Sequence, residues 1–112
     1  MTDCIFCKIV DKQIPSDIVY EDDKVIAFND VEPQAPVHIL VIPKKHIKSL
    51  NELEDKDIVE HIFTIIPKIA KEQGIKEEGY RVVNNTGKYG GQTVDHIHFH
   101  LLGGRQLTWP PG

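Results

Sequence analysis

Apolar residues recur at helical spacing in two parts of the chain. Residues 4–12 place three apolar side chains near one face, which predicts a short helix. Residues 55–73 carry isoleucines three and four positions apart, which predicts the main helix, with Gly74 ending it. Pro67 lies inside that second pattern and predicts a kink or a division into two pieces. His61, at the polar edge of this helix, is expected to be a surface residue.

Five shorter segments are rich in β-branched residues and predict strands. They are residues 18–21, 24–29, 37–43, 80–85 and 96–102. The acidic pair at 22–23 predicts a hairpin turn between the first two, and the glycines in residues 86–93 predict a loop. Five strands and one long helix joined by short turns predict one α+β domain over residues 1–112, built on an antiparallel sheet.

Composition narrows the function classes. The 112 residues include 13 Lys+Arg and 17 Asp+Glu, a formal charge of −4, which argues against a general nucleic-acid partner. No apolar run is long enough for a membrane span, and charged residues occupy the place of a signal peptide. We therefore expect a cytoplasmic protein without a nucleic-acid or membrane partner. Two cysteines are too few for a disulfide scaffold.

A run of three alternating histidines is the most unusual feature of the sequence. On a strand His96, His98 and His100 share one face, and the apolar residues between and after them face the main helix. This row fits a polar strand face, a zinc site, or a catalytic site in which an imidazole attacks phosphorus. The spacing alone does not separate the metal interpretation from the catalytic one.

The segment before the histidine run is rich in glycine and hydrogen-bond donors. Residues 90–93 read Gly-Gly-Gln-Thr. Glycines allow backbone N–H groups to approach an anion closely, and Gln92 and Thr93 add side-chain donors. By itself this is an ordinary turn, but beside a row of imidazoles it predicts a phosphate-binding loop.

These motifs resemble the histidine-triad family of nucleotide-binding proteins. The resemblance extends over residues 5–9, 21–23, 27–30, 33–36, 38, 41–46, 90–92, 96–102, 103–105 and 109–112. The Trp-Pro-Pro-Gly ending at 109–112 resembles the Hint branch of nucleoside phosphoramidases rather than the dinucleoside-polyphosphate hydrolases. The resemblance implies a five-stranded antiparallel sheet with two helices, and a ten-stranded sheet across a homodimer. It also implies that the tail, residues 103–112, reaches the partner.

The family resemblance also implies roles for individual residues. His98 would attack the α-phosphorus of a purine nucleoside 5′-phosphoramidate and form a covalent nucleotidyl-histidine, which water hydrolyses to AMP or GMP. His100 and His38 match positions that contact the phosphate. The remaining phosphate-binding positions are Gly91, Gln92, Thr93 and Asn85. The nucleoside-binding positions are Asp30, Phe6, Ile9, Phe28, Val31, Leu40 and Trp109.

The Cys4-x-x-Cys7 pair is a half-site for a metal ion, because both sulfurs lie on one face of a short helix. Many Hint relatives lack these cysteines. A related branch, the galactose-1-phosphate uridylyltransferases, joins such a pair to a distant histidine and the first histidine of the catalytic motif. The matching positions are His46 and His96, which implies a structural Zn²⁺. Unmetallated thiols and a redox disulfide are the alternatives.

Three other functions fit the same residues. The chain could be a dinucleoside-polyphosphate hydrolase. It could be a nucleotide-binding interaction protein whose hydrolysis is incidental. It could also be a metal-dependent hydrolase that uses all three histidines of the run as ligands.

Overall fold

Five strands and three helices build the part of the chain that the computed structural model describes, residues 3–112. The expected domain over 1–112 also includes residues 1 and 2, which lie outside the described residues. The helices are α1 (Ile5–Val10), α2 (Lys56–Glu72) and α3 (Gly87–Gly90), with a 3-10 turn at Leu50–Glu52. The strands are β1 (Ile18–Glu21), β2 (Val25–Asn29), β3 (Val37–Pro43), β4 (Tyr80–Val83) and β5 (Phe99–Gly103). All neighbouring strands are antiparallel, in the order β1-β2-β3-β5-β4, which confirms the predicted sheet.

The predicted hairpin between β1 and β2 is confirmed, and Asp22 explains its turn. One carboxylate oxygen of Asp22 accepts hydrogen bonds from the backbone N–H groups of Lys24 and Val25, at 2.8 and 2.9 Å. Asp22 also donates its own N–H to the Val25 carbonyl at 3.0 Å. These bonds satisfy the backbone where the chain reverses.

The main helix α2 is held by its cap and its apolar stripe. Asp55 accepts hydrogen bonds from the N–H groups of Asp57 and Ile58 at the start of the helix. The buried stripe packs on the sheet, and each fully buried isoleucine contributes about 1.5–3 kcal/mol. Its members are Ile58, Ile62, Ile65, Ile66 and Ile69. The helix is not split at Pro67, because this residue is exposed and the carbonyl left without a partner can bond to water.

The elements differ from the prediction mainly in β5, in β4 and in the glycine-rich segment. The last strand begins at Phe99 rather than at residue 96, because the N–H of Ile97 donates to the Ile47 carbonyl at 2.7 Å and leaves the ladder. Strand β4 ends at Val83. The expected loop 86–93 contains the single helical turn α3, so there are three helices within residues 3–112 instead of two.

The sheet separates two apolar clusters. One face packs against α2 and includes Ile97, Phe99 and Leu101, as the alternation in the histidine run predicts. The other face packs against α1 through Phe6 and Ile9. The histidines belong to this second face, so the candidate site lies beside α1. None of the helices in the described part is both long and apolar enough to cross a bilayer.

Candidate active site and metal site

Strand register places His38 beside His100. In the β3–β5 pair His38 is opposite Leu102, and Leu40 is opposite His100, so both histidines project from the same face. Nε2 of His38 lies 2.9 Å from Nδ1 of His100. Asp30 places a carboxylate oxygen 3.4 Å from the same His38 nitrogen. Asp30, His38 and His100 therefore form one cluster, and the family resemblance predicts a role at the nucleotide site for each of them.

Hydrogen bonds assign the tautomers of this pair. The backbone N–H of Gln34 donates to Nδ1 of His38 at 3.0 Å, so the ring proton of His38 is on Nε2. That proton is donated to Nδ1 of His100, which leaves the proton of His100 on its own Nε2. This Nε2 is buried and has no hydrogen-bond partner within residues 3–112. An unpartnered buried donor costs about 1–3 kcal/mol, which an anionic ligand would recover.

His98 has the complementary arrangement. Its Nδ1 donates to the backbone carbonyl of His96 at 2.8 Å, so Nε2 carries a lone pair. Among the described residues nothing hydrogen-bonds to that Nε2, although the side chain as a whole is buried. The rings of His98 and His100 are neighbours, with centroids 5.1 Å apart. The ring with an available lone pair is therefore a neighbour of the ring with an available N–H donor.

Burial keeps the His38–His100 pair neutral at neutral pH. It lowers the pKa of His38, and the nearby Asp30 carboxylate offsets part of that effect. Burial, followed by the neighbouring His98 and His38, lowers the pKa of His100 to about 4. Neutral rings are what the hydrogen-bond chain from Gln34 requires.

The glycine-rich segment folds around the Gln92 side chain. Its carbonyl oxygen accepts the N–H of Gly87 at 3.0 Å, and its amide donates to the carbonyls of Lys48 and Val94 at 2.7 and 3.0 Å. Because these bonds occupy the Gln92 side chain, a contact from Gln92 to a phosphate would come from its backbone. Thr93 is exposed, and its hydroxyl makes no hydrogen bond in the part of the chain described.

Four of the predicted nucleoside-binding residues meet in the cluster beside α1. They are Phe6, Ile9, Phe28 and Leu40. Phe6 and Phe28 are in edge contact, with ring centroids 5.6 Å apart. Two other predicted members are not part of this cluster, since Val31 is 93% and Trp109 81% exposed. Asn85 is half-buried just beyond β4.

Two residues with roles at the site were missed by sequence reasoning. Asn84 donates from its side-chain amide to the His98 carbonyl at 3.1 Å and accepts from the Thr86 hydroxyl at 2.8 Å. Gln34 orients His38 through its backbone, and a backbone role leaves no trace in residue type. For Asn84, the Asn-Asn pair after a strand was the available signal, because short polar side chains there often bond to backbone groups.

Cys4, Cys7, His46 and His96 are positioned to hold a metal ion, with their four ligand atoms within 4.8 Å of one another. Nδ1 of His96 lies 3.3 and 3.5 Å from the two sulfurs, and Nδ1 of His46 lies 3.2 Å from the Cys7 sulfur. A tetrahedral zinc ion with the usual bond lengths separates sulfur from nitrogen by about 3.5 Å. The four residues therefore fit a tetrahedral S2N2 site, and they are the set that the family resemblance implied.

The surroundings of this site match a metal centre. The cysteines are not joined in a disulfide. His96 donates from Nε2 to the Pro43 carbonyl at 2.8 Å, which leaves Nδ1 as the ligand atom, a common outer contact of metal-bound histidine. Burial, followed by the hydrogen bond that the Cys7 S–H makes to the Cys4 sulfur, raises the pKa of the Cys7 thiol to about 11. A bound cation would reverse that effect and deprotonate the thiol.

Most of the chain matches a known protein family. The family model described as HIT domain matches residues 11–107. The chain belongs to the HIT family. A HIT-like protein from Synechococcus elongatus is 57% identical over 112 residues, covering 98% of this chain and 97% of that protein. The family match begins after α1, so Cys4 and Cys7 lie outside it.

Solved structures of HIT proteins have the same fold. A HIT family hydrolase from Legionella pneumophila superposes with a TM-score of 0.95 at 51% identity, covering 98% of this chain and 100% of that one. A histidine triad nucleotide-binding protein from Candida albicans gives a TM-score of 0.84 at 36% identity, covering 96% of this chain and 83% of that one.

Proposed function

We propose that this HIT protein hydrolyses purine nucleoside 5′-phosphoramidates through a covalent nucleotidyl-His98 intermediate. The observation that carries the proposal is the fixed tautomer of His98, whose Nδ1–H is held by the His96 carbonyl while Nε2 keeps a free lone pair. The similar Legionella protein is named a hydrolase and the Candida protein nucleotide-binding, which supports the same reaction class.

The proposed reaction has two halves. The Nε2 lone pair of His98 attacks the α-phosphorus, the P–N bond breaks with its electron pair on nitrogen, and the amine departs with a proton from solvent. Water then attacks phosphorus, the bond to His98 breaks, and the proton that water loses balances the one taken up earlier. The unpartnered Nε2–H of His100 would hydrogen-bond to the phosphoryl group in both halves, where charge develops.

The substrate's other contacts are proposed from the same arrangement. Asp30 would accept from the ribose hydroxyls, and the cluster of Phe6, Ile9, Phe28 and Leu40 would contact the purine. Gly91 and Thr93 would bind the phosphate from the loop that Gln92 holds in shape, and Asn85 would reach the same phosphate. Val31 would join the purine wall from its exposed position.

A zinc ion on Cys4, Cys7, His46 and His96 would be structural, since it would leave His98 free. When bound, the ion would supply the charge that keeps both sulfurs as thiolates, and it would cross-link three parts of the chain. We propose a cytoplasmic location, because a reducing compartment would keep the two sulfurs available as ligands.

The proposal includes a homodimer with one ten-stranded sheet. Strand β4 is an edge of the sheet, and Arg81 on β4 donates to the Thr108 carbonyl at 2.8 Å, so the tail contacts that edge strand. Trp109 is 81% exposed in the single chain, and a partner subunit would cover it. Size-exclusion chromatography with light scattering tests the dimer, and Trp109→Ala tests the tail contact.

The decisive experiment is AMP release from adenosine 5′-phosphoramidate by the wild type and His98→Ala, each with and without chelator. We expect activity to fall at least about 10⁴-fold in His98→Ala, because the covalent route is lost. The wild type should turn over in chelator at a reduced rate for as long as it stays folded. His61→Ala, on the other face of the sheet, is the matched histidine control and should keep its activity.

Other outcomes select the alternative functions. Undiminished release by His98→Ala, or release that requires metal in a folded protein, contradicts nucleophilic catalysis. Faster cleavage of diadenosine polyphosphate than of the phosphoramidate favours the polyphosphate branch. Tight AMP binding without turnover favours a nucleotide-binding interaction protein.

A further inference from the structure

We propose that occupancy of the Cys4–Cys7–His46–His96 site sets the position of the His98 imidazole, with His96 and helix α1 as the two mechanical connections. In this account His96 is a positioning residue for the reaction. The inference rests on the proposed function only for its effect on rate, since the positional coupling concerns the protein alone.

The first connection is the backbone of His96. Its side chain offers Nδ1 to the metal site, and its carbonyl accepts the Nδ1–H of His98 at 2.8 Å. Residues 96–98 precede the ladder of β5, so sheet hydrogen bonds do not fix this carbonyl. The segment is held by the bond from Ile97 to the Ile47 carbonyl at 2.7 Å, and by the His96 ring. A metal ion on that ring, shared with His46 next to Ile47, would complete its support.

The second connection is helix α1. Phe6 lies between the two cysteines and meets the His98 ring edge-on, with centroids 5.2 Å apart at 85°. The same phenylalanine contacts the His96 ring at 6.0 Å. Helix α1 has six residues, and helices that short are unstable without tertiary anchors. Tethering Cys4 and Cys7 to a metal ion would therefore hold Phe6 against the nucleophile.

Both connections act on the His98 ring. Loss of the metal would free the His96 ring and α1 together, so the His98 tautomer and ring orientation would become mixed. Outer contacts of this kind commonly change activity by about 10–100-fold, and small misplacements of a reacting group cost similar factors. We expect metal removal to lower kcat by about 10–100-fold in protein that stays folded.

The first test reads the position of His98 without any substrate. Imidazole nitrogen chemical shifts from NMR distinguish the Nδ1–H and Nε2–H tautomers. We expect the single Nδ1–H form of His98 in the zinc-loaded protein and a mixture after stripping, with recovery on zinc addition in the wild type but not in Cys7→Ser. An unchanged His98 tautomer in stripped protein that circular dichroism shows to be folded would overturn the inference.

A second test uses the loaded protein, in case stripping unfolds the chain. Co²⁺ is placed in the site, and its visible absorption reports ligand geometry. His98→Leu removes the bond to the His96 carbonyl and should shift this spectrum, whereas His38→Leu, in the same pocket without that bond, should not. Equal spectra for both variants and the wild type would refute the coupling. Neither spectrum depends on catalysis, so absence of AMP release in the wild type would contradict the proposed function alone.

Discussion

Replacing Asp22 with asparagine should destabilise the fold by about 2 kcal/mol at neutral pH. Asp22 accepts four hydrogen bonds, two from backbone N–H groups on one oxygen and two from side chains on the other. The side-chain donors are the Tyr20 hydroxyl and Nε2 of His61, both at 2.6 Å. His61 is thus a half-buried link between α2 and the hairpin, and the expectation that it is a plain surface residue was wrong.

The magnitude follows from which bonds survive. The amide oxygen of asparagine can keep the two backbone bonds, while its NH2 group faces Tyr20 and His61 and forms at best neutral hydrogen bonds. A bond to a charged group contributes about 1.5–3 kcal/mol and a neutral one about 0.5–1.5, so each exchange costs about 1 kcal/mol. For 112 residues the unfolding entropy is about 0.24 kcal/mol/K, and 2 kcal/mol corresponds to about 8 °C in Tm.

The stabilisation by Asp22 should depend on pH, because folding lowers the pKa of its carboxyl group. Burial opposes ionisation of Asp22, but the bonds from Tyr20, from the Val25 and Lys24 backbone and from His61 outweigh it and lower its pKa. Stabilisation from a carboxyl with a lowered pKa is present above the unfolded value of about 3.9 and is lost as pH falls through the folded value.

Urea denaturation of the wild type and Asp22→Asn, both in chelator, measures the difference at pH 7 and at pH 3. We expect the full gap at pH 7 and a smaller one at pH 3. Tyr20→Phe is the matched variant, since it removes one donor and leaves the charge. A gap below about 0.5 kcal/mol at pH 7, or one that does not narrow in acid, would refute the argument from charge-assisted bonds.

Three further results are expected. Stability should fall as pH drops from 6.5 towards 4, because His100 binds a proton in the unfolded chain but, with its pKa lowered to about 4, stays neutral in the folded one. His100→Asn should reduce this pH dependence in urea titrations. Gln92→Ala should raise KM for the phosphoramidate by loosening the phosphate loop, while Gln13→Ala, on the exposed surface, leaves it unchanged. Gly103→Ala should cost about 1–3 kcal/mol, visible in Tm, because its Cβ would lie 2.8–3.1 Å from three atoms of Ile75.

Local patterns in the sequence were sufficient for the main elements. The isoleucine stripe of α2 and the alternation in β5 are visible because side-chain direction repeats every 3.6 or 2 residues along the chain. Boundaries were less accurate where a backbone group bonded outside its own ladder. The N–H of Ile97 is the example, since its partner Ile47 is distant in sequence.

Some features of the candidate site could also be predicted from local sequence, and others could not. The histidine run and the Cys4-x-x-Cys7 spacing are local patterns, and they predicted the row of imidazoles and the metal half-site. Pairing His38 with His100 across 62 positions, or Cys4 with His96 across 92, came from family resemblance, because spacing carries no information about which distant strands meet.

Residue patterns along the chain were enough to predict a sheet with two different faces, the row of imidazoles and the half-site for a metal ion. The lone pair at Nε2 of His98 and the unpartnered N–H of His100 could be assigned only in the folded chain. The reason is physical: an imidazole's proton goes to whichever nitrogen faces an acceptor, and those acceptors are backbone groups placed by the fold.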